Sequence, residues 1–443
     1  MRLPDDVLTL MTRLQEAGYT AYAVGGCVRD SLLGKEPQDW DLCTSALPDE
    51  MKTVFAGEHV VETGLKHGTL TVVLRHQPYE ITTYRVDGAY TDHRHPDSVS
   101  FVGQIDQDLA RRDFTINAMA SGSDGRILDL FEGRADLEKR LIRCVGDPEK
   151  RFEEDALRIL RALRFASTLD FEIDSATDRA IRSMYPSLER VAAERIRVEL
   201  VKLLCGPGCG RILRSYDEVI TFLIPCMKPT VGYAQDNPHH KYTVWEHTVR
   251  AVENIPPDPA LRMTMLLHDS GKPVVRTTDE QGIGHYFGHQ QVSAELAGET
   301  LEQLRFDKAM SARIVKLVAA HDIPITTDRR ILLRRLNQFG EEDLRALLLI
   351  HRADRTATGT QSAEEAQRHY ENRTAALDQL LREQPCFTLK DLQVNGRDLA
   401  ALGYQGKEIG EELDFLLGQV MDGSLENNRD RLTEAAAEKK GGS

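Results

Sequence analysis

Several groups of residues in this chain have the types and spacing to act on phosphates. Two glycines and a charged pair, Gly25-Gly26-Cys27-Val28-Arg29-Asp30, stand between a short apolar run and Ser31-Leu32-Leu33-Gly34, so the glycines fall at a strand-to-helix turn. Backbone N–H groups can approach a phosphate at such a turn, and Arg29 adds a cation. Asp39-Trp40-Asp41 follows in a strand-like context, where a period of two puts both carboxylates on one face. Carboxylates paired in this way can hold two Mg²⁺ ions for in-line phosphoryl transfer. Either motif alone is common in ordinary turns; together they point to nucleotide chemistry. Farther on, Arg111-Arg112-Asp113-Phe114-Thr115-Ile116-Asn117-Ala118 sets guanidinium forks beside an acceptor, suited to a triphosphate and a ribose hydroxyl. The competing account of that string is a solvated helix start.

With these motifs in order, the chain resembles the nucleotidyltransferase superfamily that includes DNA polymerase beta. Within it, the chain resembles the class holding bacterial and eukaryotic CCA-adding tRNA nucleotidyltransferases and bacterial poly(A) polymerases. The resemblance is dense from about residue 20 to residue 205. Its most informative part is Arg151 to Phe165, where Asp155, Arg158, Arg161 and Arg164 fall on one half of a helix and Leu157, Ile159, Leu160 and Leu163 on the other. Three arginines at steps of three repel one another unless an anion lies between them, so this face is read as a nucleotide site.

The same face predicts a choice of base. A carboxylate only accepts hydrogen bonds and an arginine only donates, so Asp155 suits an exocyclic amine and Arg158 an unprotonated ring nitrogen. Adenine and cytosine offer that pair on the Watson–Crick edge. Uracil and guanine oppose a carbonyl to the carboxylate and an N–H to the guanidinium. The resemblance implies the same: these positions recognise ATP and CTP without a nucleic-acid template, and the product is CCA at the 3′ end of tRNA. An A-adding specialist or a poly(A) polymerase is the alternative within the class. The polar stretch Arg85 to Asp97 reads as a mobile loop. In the family the matching loop helps the switch from CTP to ATP; here it is full length, and His95 stands where the family often has a second arginine. Glu194-Arg195-Ile196 to Glu199 matches a later helical motif, read as a helix–helix salt bridge.

A second constellation lies among the fourteen histidines: His247, His268-Asp269 after Met265-Leu266-Leu267, then His289, His321 and Asp354. Neutral imidazoles with carboxylates suit a divalent transition metal. The order His, His-Asp, Asp resembles the HD phosphohydrolase family, matched by His247, His268, Asp269 and Asp354, with Ser270 where the family usually has an apolar residue. The resemblance implies a bound Ni²⁺, Mn²⁺, Co²⁺ or Zn²⁺, in contrast to Mg²⁺ at Asp39 and Asp41, and phosphoesterase activity. His289 and His321 are candidates to complete a two-metal site, against a reading as surface histidines. A metal-free scaffold, or a phosphohydrolase whose head only binds, are the competing readings of the whole.

The elements that must position these residues change along the chain. Short apolar runs at Tyr22 to Val24, Thr69 to Leu74 and Glu80 to Tyr84, with a helix at Asp49 to Phe55, predict an α/β head. After about Asp147 the spacing turns helical, at Glu153 to Ser167, Ala192 to Leu204, Val244 to Asn254, Val292 to Leu304 and Glu342 to Arg352. The expected fold class is multidomain: an α/β nucleotidyltransferase head over 1–145, then an all-α neck (146–206), body (207–236), HD-like region (237–384) and tail (385–443). The tail resembles the tRNA-gripping end of longer relatives. From Cys386 to Ala437 it holds five basic and ten acidic residues, so backbone amides near Gly406 to Gly410 suit phosphate better than bulk charge does. Arg329, Arg330, Arg334 and Arg335 form the clearest basic cluster elsewhere, read as a solvated face, and Lys439 to Ser443 is expected to fray.

Composition bounds these readings. The 443 residues imply about three domains. With 41% hydrophobic and 28% charged residues and no run of about eighteen apolar ones, the sequence predicts a globular protein that does not span a membrane. A formal charge of −14 argues against a general duplex-coating protein and makes any nucleic-acid contact local. The start, MRLPDDVLTLMTRL, does not read as a secretion signal. Seven scattered cysteines without a CxxC pair fit reduced thiols in a cytoplasm, and Cys205 and Cys209 read as two thiols in a turn.

Overall fold

The computed structural model describes residues 1–62, 64–87 and 99–441. Most of the loop predicted over Arg85 to Asp97, His95 included, therefore lies outside the described residues. The chain forms two compact units, one of Met1–Pro225 with Gln303–Arg305 and one made of the rest from Cys226 onward.

In the first unit the opening helix Asp5–Glu16 buries Val7, Leu10, Met11 and Leu14 at helical spacing. Up to residue 129, nine strands follow among the described residues: β1 (Ala21–Val24), β2 (Asp41–Thr44), β3 (His59–Val61), β4 (Thr69–Leu74), β5 (Gln77–Thr83), β6 (Arg85–Asp87), β7 (Val99–Phe101), β8 (Met119–Ser121) and β9 (Ile127–Asp129). Among the described residues, seven form one sheet in the order β3-β4-β5-β2-β1-β8-β9, while β6 and β7 pair as a separate ribbon. The alternation of β4 explains its place, with Leu70, Val72 and Leu74 facing the core and the residues between them half-exposed. The β2–β5 pair is parallel, with Asp41 in register with Glu80, and the remaining pairs of the sheet are antiparallel. Asp39 lies before β2 rather than in it, so the strand alternation expected for Asp39 and Asp41 does not extend to Asp39.

The helix expected over Glu153 to Ser167 is two helices, Pro148–Glu154 and Leu157–Leu169. Asp155 separates them with extended backbone angles (φ −145°, ψ 104°), and its carboxylate accepts from the Leu157 N–H at 3.0 Å. The physical reason is capping: a short acceptor satisfies an orphan N–H of the second helix better outside it than within it. Strands are not wholly absent after Asp147, since Leu141–Ile142 pairs in parallel with Glu172–Ile173 and Thr277–Thr278 pairs with Gly284–His285. All seven cysteines are free thiols.

The second unit is built of capped helices. Thr243, Asp258, Asp307, Asp328 and Ser362 each accept from an N–H in the first turn of the helix that follows, so the starts of Val244–Glu253, Pro259–Leu267, Lys308–Ala320, Arg329–Ala357 and Ala363–Arg382 are fixed locally. The long helix breaks at Gly340, whose φ of 75° no helix interior tolerates. The tail has its own core of Leu399, Tyr404, Leu416, Leu417, Leu432 and Ala436. Its last helix, Arg429–Gly441, includes the first three residues of the stretch expected to fray, with Lys439 paired to Glu412 and Lys440 to Glu408, each at 2.7 Å; Gly442 and Ser443 lie outside the described residues. In the basic cluster, Arg329 pairs with Glu383 and Arg334 with Asp422. No helix among the described residues is long and apolar enough to cross a membrane.

Candidate functional site

The first site lies where the end of β1, the start of β2 and the helices after residue 104 meet. Gly25 closes β1 with φ 78° and opens the helix Gly26–Leu32; a Cβ there would stand 2.9 Å from Arg112 Nη1. Glycine is thus required both by backbone conformation and by the approach of a guanidinium. Arg29 donates to Asn117 Oδ1 at 2.7 Å and to Asp30 at 2.8 Å. Asp108, buried, holds both Arg111 (2.8 Å) and Arg112 (3.3 Å). Asp41 is held above the ordinary carboxylate range by desolvation, with the negative charges of Glu80 and Asp39 adding and Arg112 opposing. Three carboxylates therefore share this corner. Among the described residues, they do not bring three ligand atoms within 4.8 Å of one another.

A polar pocket of about 300 Å³ is lined by Arg111, Arg112, Asp113, Asp155, Leu157, Arg158, Arg161 and Arg195. The expectation that an outside anion relieves the row of arginines is corrected in part, because carboxylates of the chain already do so. Arg158 pairs with Glu154, Arg161 with Asp113 at 2.6 Å, and Arg164 with Glu199 at 2.7 Å. Asp155, between its two helices, is held by Arg195 at 2.7 Å, and the helix–helix salt bridge expected for that motif is the Arg164–Glu199 pair. Burial would raise the Asp113 carboxyl, but the Arg161 charge and hydrogen bonds outweigh it and hold the group at about 2. Asp113 also accepts from Asn117 Nδ2 at 3.2 Å, so Arg29, Asn117, Asp113 and Arg161 form one chain of contacts.

The second site is a buried cluster drawn from five helices. His247 lies within Val244–Glu253, His268 caps the C-terminus of Pro259–Leu267, His289 opens His289–Gln303, His321 caps Lys308–Ala320, and Asp354 lies in Arg329–Ala357. His247, His268 and Asp354 form one set of converging ligand atoms, and Asp269, His289 and His321 another. Asp269 links them: Oδ2 lies 3.4 Å from His247 Nε2 and 3.3 Å from His268 Nε2, while Oδ1 lies 3.3 Å from His289 Nε2. His289 and His321, read from sequence as either ligands or surface residues, are buried and belong to the cluster.

The donor chemistry fits a pair of divalent ions. Nδ1 of His268, His289 and His321 faces a backbone carbonyl, of Met265, Tyr286 and Val318 respectively, at 2.7–2.8 Å. A carbonyl only accepts, so each Nδ1 carries the proton and each Nε2 presents a lone pair to the cluster. The Nε2 atoms face one another, at 3.3 Å for His247 and His268 and 3.2 Å for His289 and His321, while Nδ1 of His247 is buried without a hydrogen-bond partner. Two nitrogens on one tetrahedral metal lie about 3.4 Å apart. Without a metal, burial pulls the His268 ring down but Asp269 and Asp354 outweigh it and raise the group to about 10, so its Nε2 then carries a proton in place of the lone pair. His321 is pushed down to about 3 by burial and then by the His268 charge.

Sequence reasoning missed four groups. Glu80 was legible only as the one charged residue in a strand. Lys272, buried, ion-pairs with Asp269 at 2.7 Å and donates to Gln235, and His240 packs edge-on against His247 at 5.1 Å. Asn117 stood in the arginine motif without an assigned part. Ser270, the departure from the HD pattern, donates its hydroxyl to Leu267 O at 2.9 Å and leaves the ligands undisturbed. Gly271 admits no side chain, since a Cβ would stand 2.7 Å from His289 O.

The fold and the first site define a nucleotidyltransferase head followed by helices, and comparison with known proteins agrees. Residues 21–143 match the poly A polymerase head domain, 170–222 the RNA and SrmB binding site of polymerase A, and 277–436 the tRNA nucleotidyltransferase domain 2. The CCA-adding enzyme of Levilactobacillus brevis is 35% identical over 433 residues, 97% of this chain and 96% of that protein. This chain belongs to the family of bacterial CCA-adding enzymes. That of Limosilactobacillus reuteri (strain DSM 20016) is 53% identical over 197 residues, 44% of this chain, so the match spans about half (48%) of that relative's length. The crystal structure of the Bacillus stearothermophilus CCA-adding enzyme in complex with CTP is 29% identical, with a TM-score of 0.72, and covers 99% of this chain and 98% of that one.

Proposed function

We propose that the first unit adds CMP, CMP and AMP to the 3′ end of tRNA from CTP and ATP, without a template. The observation that carries this reading is the corner where Asp39, Asp41 and Glu80 stand beside the arginine-lined pocket. A Mg²⁺ pair held by Asp39 and Asp41, with Glu80 next to them, supplies the charge that activates the 3′-hydroxyl and stabilises departing pyrophosphate. The residues of the chain do the rest. The Gly25-Gly26 turn and Arg29, Arg111 and Arg112 bind the triphosphate, and Asp113 orients the ribose edge while holding Arg161. Asp155 accepts the exocyclic amine of cytosine or adenine and Arg158 donates to the ring nitrogen; Arg195 and Glu154 hold this pair in the free protein. The relative whose crystal structure contains CTP supports the same class of substrate. Supplying tRNA lacking CCA, tRNA ending in CC, or oligo(A), each with CTP or ATP alone, tests the assignment. CTP incorporation into tRNA lacking CCA, with ATP incorporation into tRNA ending in CC and neither into oligo(A), supports it, and ATP-only addition makes the protein an A-adding specialist or poly(A) polymerase.

The second cluster is, in this reading, an HD-type phosphohydrolase centre. His247, His268, Asp269 and Asp354 hold a divalent transition metal, and Asp269, His289 and His321 a second. Such a pair supplies Lewis acidity for attack of water on a phosphoester. The domain plan that follows is a head at 1–145, neck at 146–206, body at 207–236, HD-like region at 237–384 and tRNA-binding tail at 385–443, in a cytoplasmic enzyme. Metal analysis of EDTA-treated, reloaded protein with p-nitrophenyl phosphate turnover tests it; no tight metal and no turnover would leave the region a scaffold.

A further inference from the structure

Asn117 stands in the middle of the contacts that run from Arg29 to Arg161. It closes the short helical turn Thr115–Asn117 and is buried. Other parts of the head fix that turn: the Thr115 N–H donates to Arg143 O at 2.9 Å, and the Thr115 hydroxyl donates to Asp136. From this firm base the planar amide of Asn117 reaches two ways. Its Oδ1 accepts from Arg29 Nη1 at 2.7 Å, and its Nδ2 donates to Asp113 Oδ1 at 3.2 Å.

The groups on either side of the amide are otherwise committed. Asp113 Oδ1 also accepts from the Phe114 N–H at 2.8 Å, and Oδ2 accepts from Arg161 Nε and Nη2 at 2.9 and 2.6 Å. A carboxylate offers about four lone-pair directions, and with Asn117 these donors fill them. A ribose hydroxyl therefore reaches Asp113 only in exchange for a donor already there. The Arg161 bonds are charge-assisted and the Phe114 N–H belongs to the adjoining main chain, whereas the Asn117 bond is the longest and is uncharged. It yields at the least cost. On the other side, Asp30 takes Nε and Nη2 of Arg29 at 2.8 and 3.1 Å, and Asn117 occupies Nη1. Arg29 also packs over Phe165 of the helix Leu157–Leu169, 5.1 Å from the ring centre, and Arg161 covers the same ring at 5.4 Å.

We propose that Asn117 is a positioning residue that couples ribose recognition to triphosphate capture. The amide is one rigid plane, so turning it off Asp113 also takes it off Arg29. A ribose hydroxyl then replaces Nδ2 at Asp113, and a phosphate oxygen replaces Oδ1 at Arg29. Displacing Asn117 costs two hydrogen bonds once, whichever group arrives first, and the other group then binds without that cost. The two parts of a nucleotide thus favour each other's binding, and the effect is reciprocal. A ligand that carries only one part bears the whole cost. The inference rests on the nucleotidyl-transfer reading above and states how that site tells a ribonucleoside triphosphate from its fragments.

The test is calorimetric titration of the full chain with Mg²⁺ and without tRNA. Asp269→Ala is present throughout, so that the histidine cluster takes no part. The ligands are ATP and AMP, each with its 2′-deoxy and 3′-deoxy form. With Asn117 in place, removing the hydroxyl that meets Asp113 should weaken ATP roughly tenfold more than it weakens AMP, the worth of two hydrogen bonds. In Asn117→Ala, or in Asn117→Ser should the first variant not fold, the loss should be the same for ATP and AMP within about twofold. Equal losses for ATP and AMP with Asn117 in place overturn the inference, as does a difference that survives the substitution. Uniform weakening of every nucleotide with that difference kept would make Asn117 merely structural and overturns it too. Addition to tRNA is read separately. Absent addition with the coupling present overturns the nucleotidyl-transfer reading and leaves the inference standing; addition without the coupling does the reverse.

Discussion

The two polar sites of this protein solve the problem of buried charge in opposite ways. In the first unit each key cation has a partner within the chain: Arg29 with Asp30, Arg111 and Arg112 with Asp108, Arg158 with Glu154, Arg161 with Asp113, and Arg195 with Asp155. A substrate must exchange those partners to bind, so only a ligand that offers replacements at several points at once is favoured. In the second unit four imidazoles and two carboxylates converge within hydrogen-bonding range of one another with their lone pairs inward. Those donors suit a cation rather than an exchange, and Lys272 already ion-pairs with Asp269 at 2.7 Å. The difference teaches that the first site is organised to select and the second to hold.

Substitutions can break or sharpen this contrast, the largest effect first. Removing the carboxylates with Asp39→Ala and Asp41→Ala should lower nucleotide addition by about 10⁴-fold while hydrolysis is untouched. Measured addition above about a tenth of the parent rate would place the catalytic carboxylates elsewhere. Asp269→Ala should strip both metal positions and abolish hydrolysis, whereas His289→Ala should lose only one ion per chain; metal analysis reads the count, and addition should hold within about twofold. Saturating metal should also raise Tm in the parent and not in Asp269→Ala, since it binds only the folded site.

Smaller effects test the first site in finer detail. Glu80→Gln should cost roughly 10- to 100-fold in addition and shift the Mg²⁺ requirement upward, because one negative charge leaves the corner that raises Asp41. Asp155→Ala should relax discrimination against UTP and GTP by roughly tenfold or more with little change in triphosphate affinity. Equal loss for all four nucleotides would contradict recognition by the Watson–Crick edge. Asp113 is depressed from 3.8 to about 2 by Arg161, and so stabilises the fold by about 2 kcal/mol at neutral pH. That contribution is complete above the ordinary carboxylate range and is lost as pH falls from about 4 through about 2. Asp113→Asn should remove it, and acid unfolding followed by circular dichroism should show a flatter pH dependence in the variant.

Much of this was legible in the chain alone. Local chemistry dictated the glycine turn, the arginine motifs and the His, His-Asp, Asp order, because motif spacing along one or two elements is a property of sequence. Periodicity also located β4 and, within a few residues, the helices that carry His247, His289 and Asp354, since an amphipathic face shows itself in consecutive residues. Tertiary structure decided what adjacency in sequence does not reveal. Glu80 became part of the carboxylate corner only through the parallel register of β5 with β2, thirty-nine positions from Asp41 along the chain. The continuous helix expected at Asp155 was interrupted because its carboxylate gains more as a cap and as a partner of Arg195 than inside a helix. His289 and His321 could not be told from surface histidines until five helices were packed, because burial is set by neighbours far away in the chain. Arg355 and Arg373 stand in sequence as two ordinary helix arginines. Only packing showed them lining one cavity with Asp322 and Asp354, since which groups share a cavity is a fact about space.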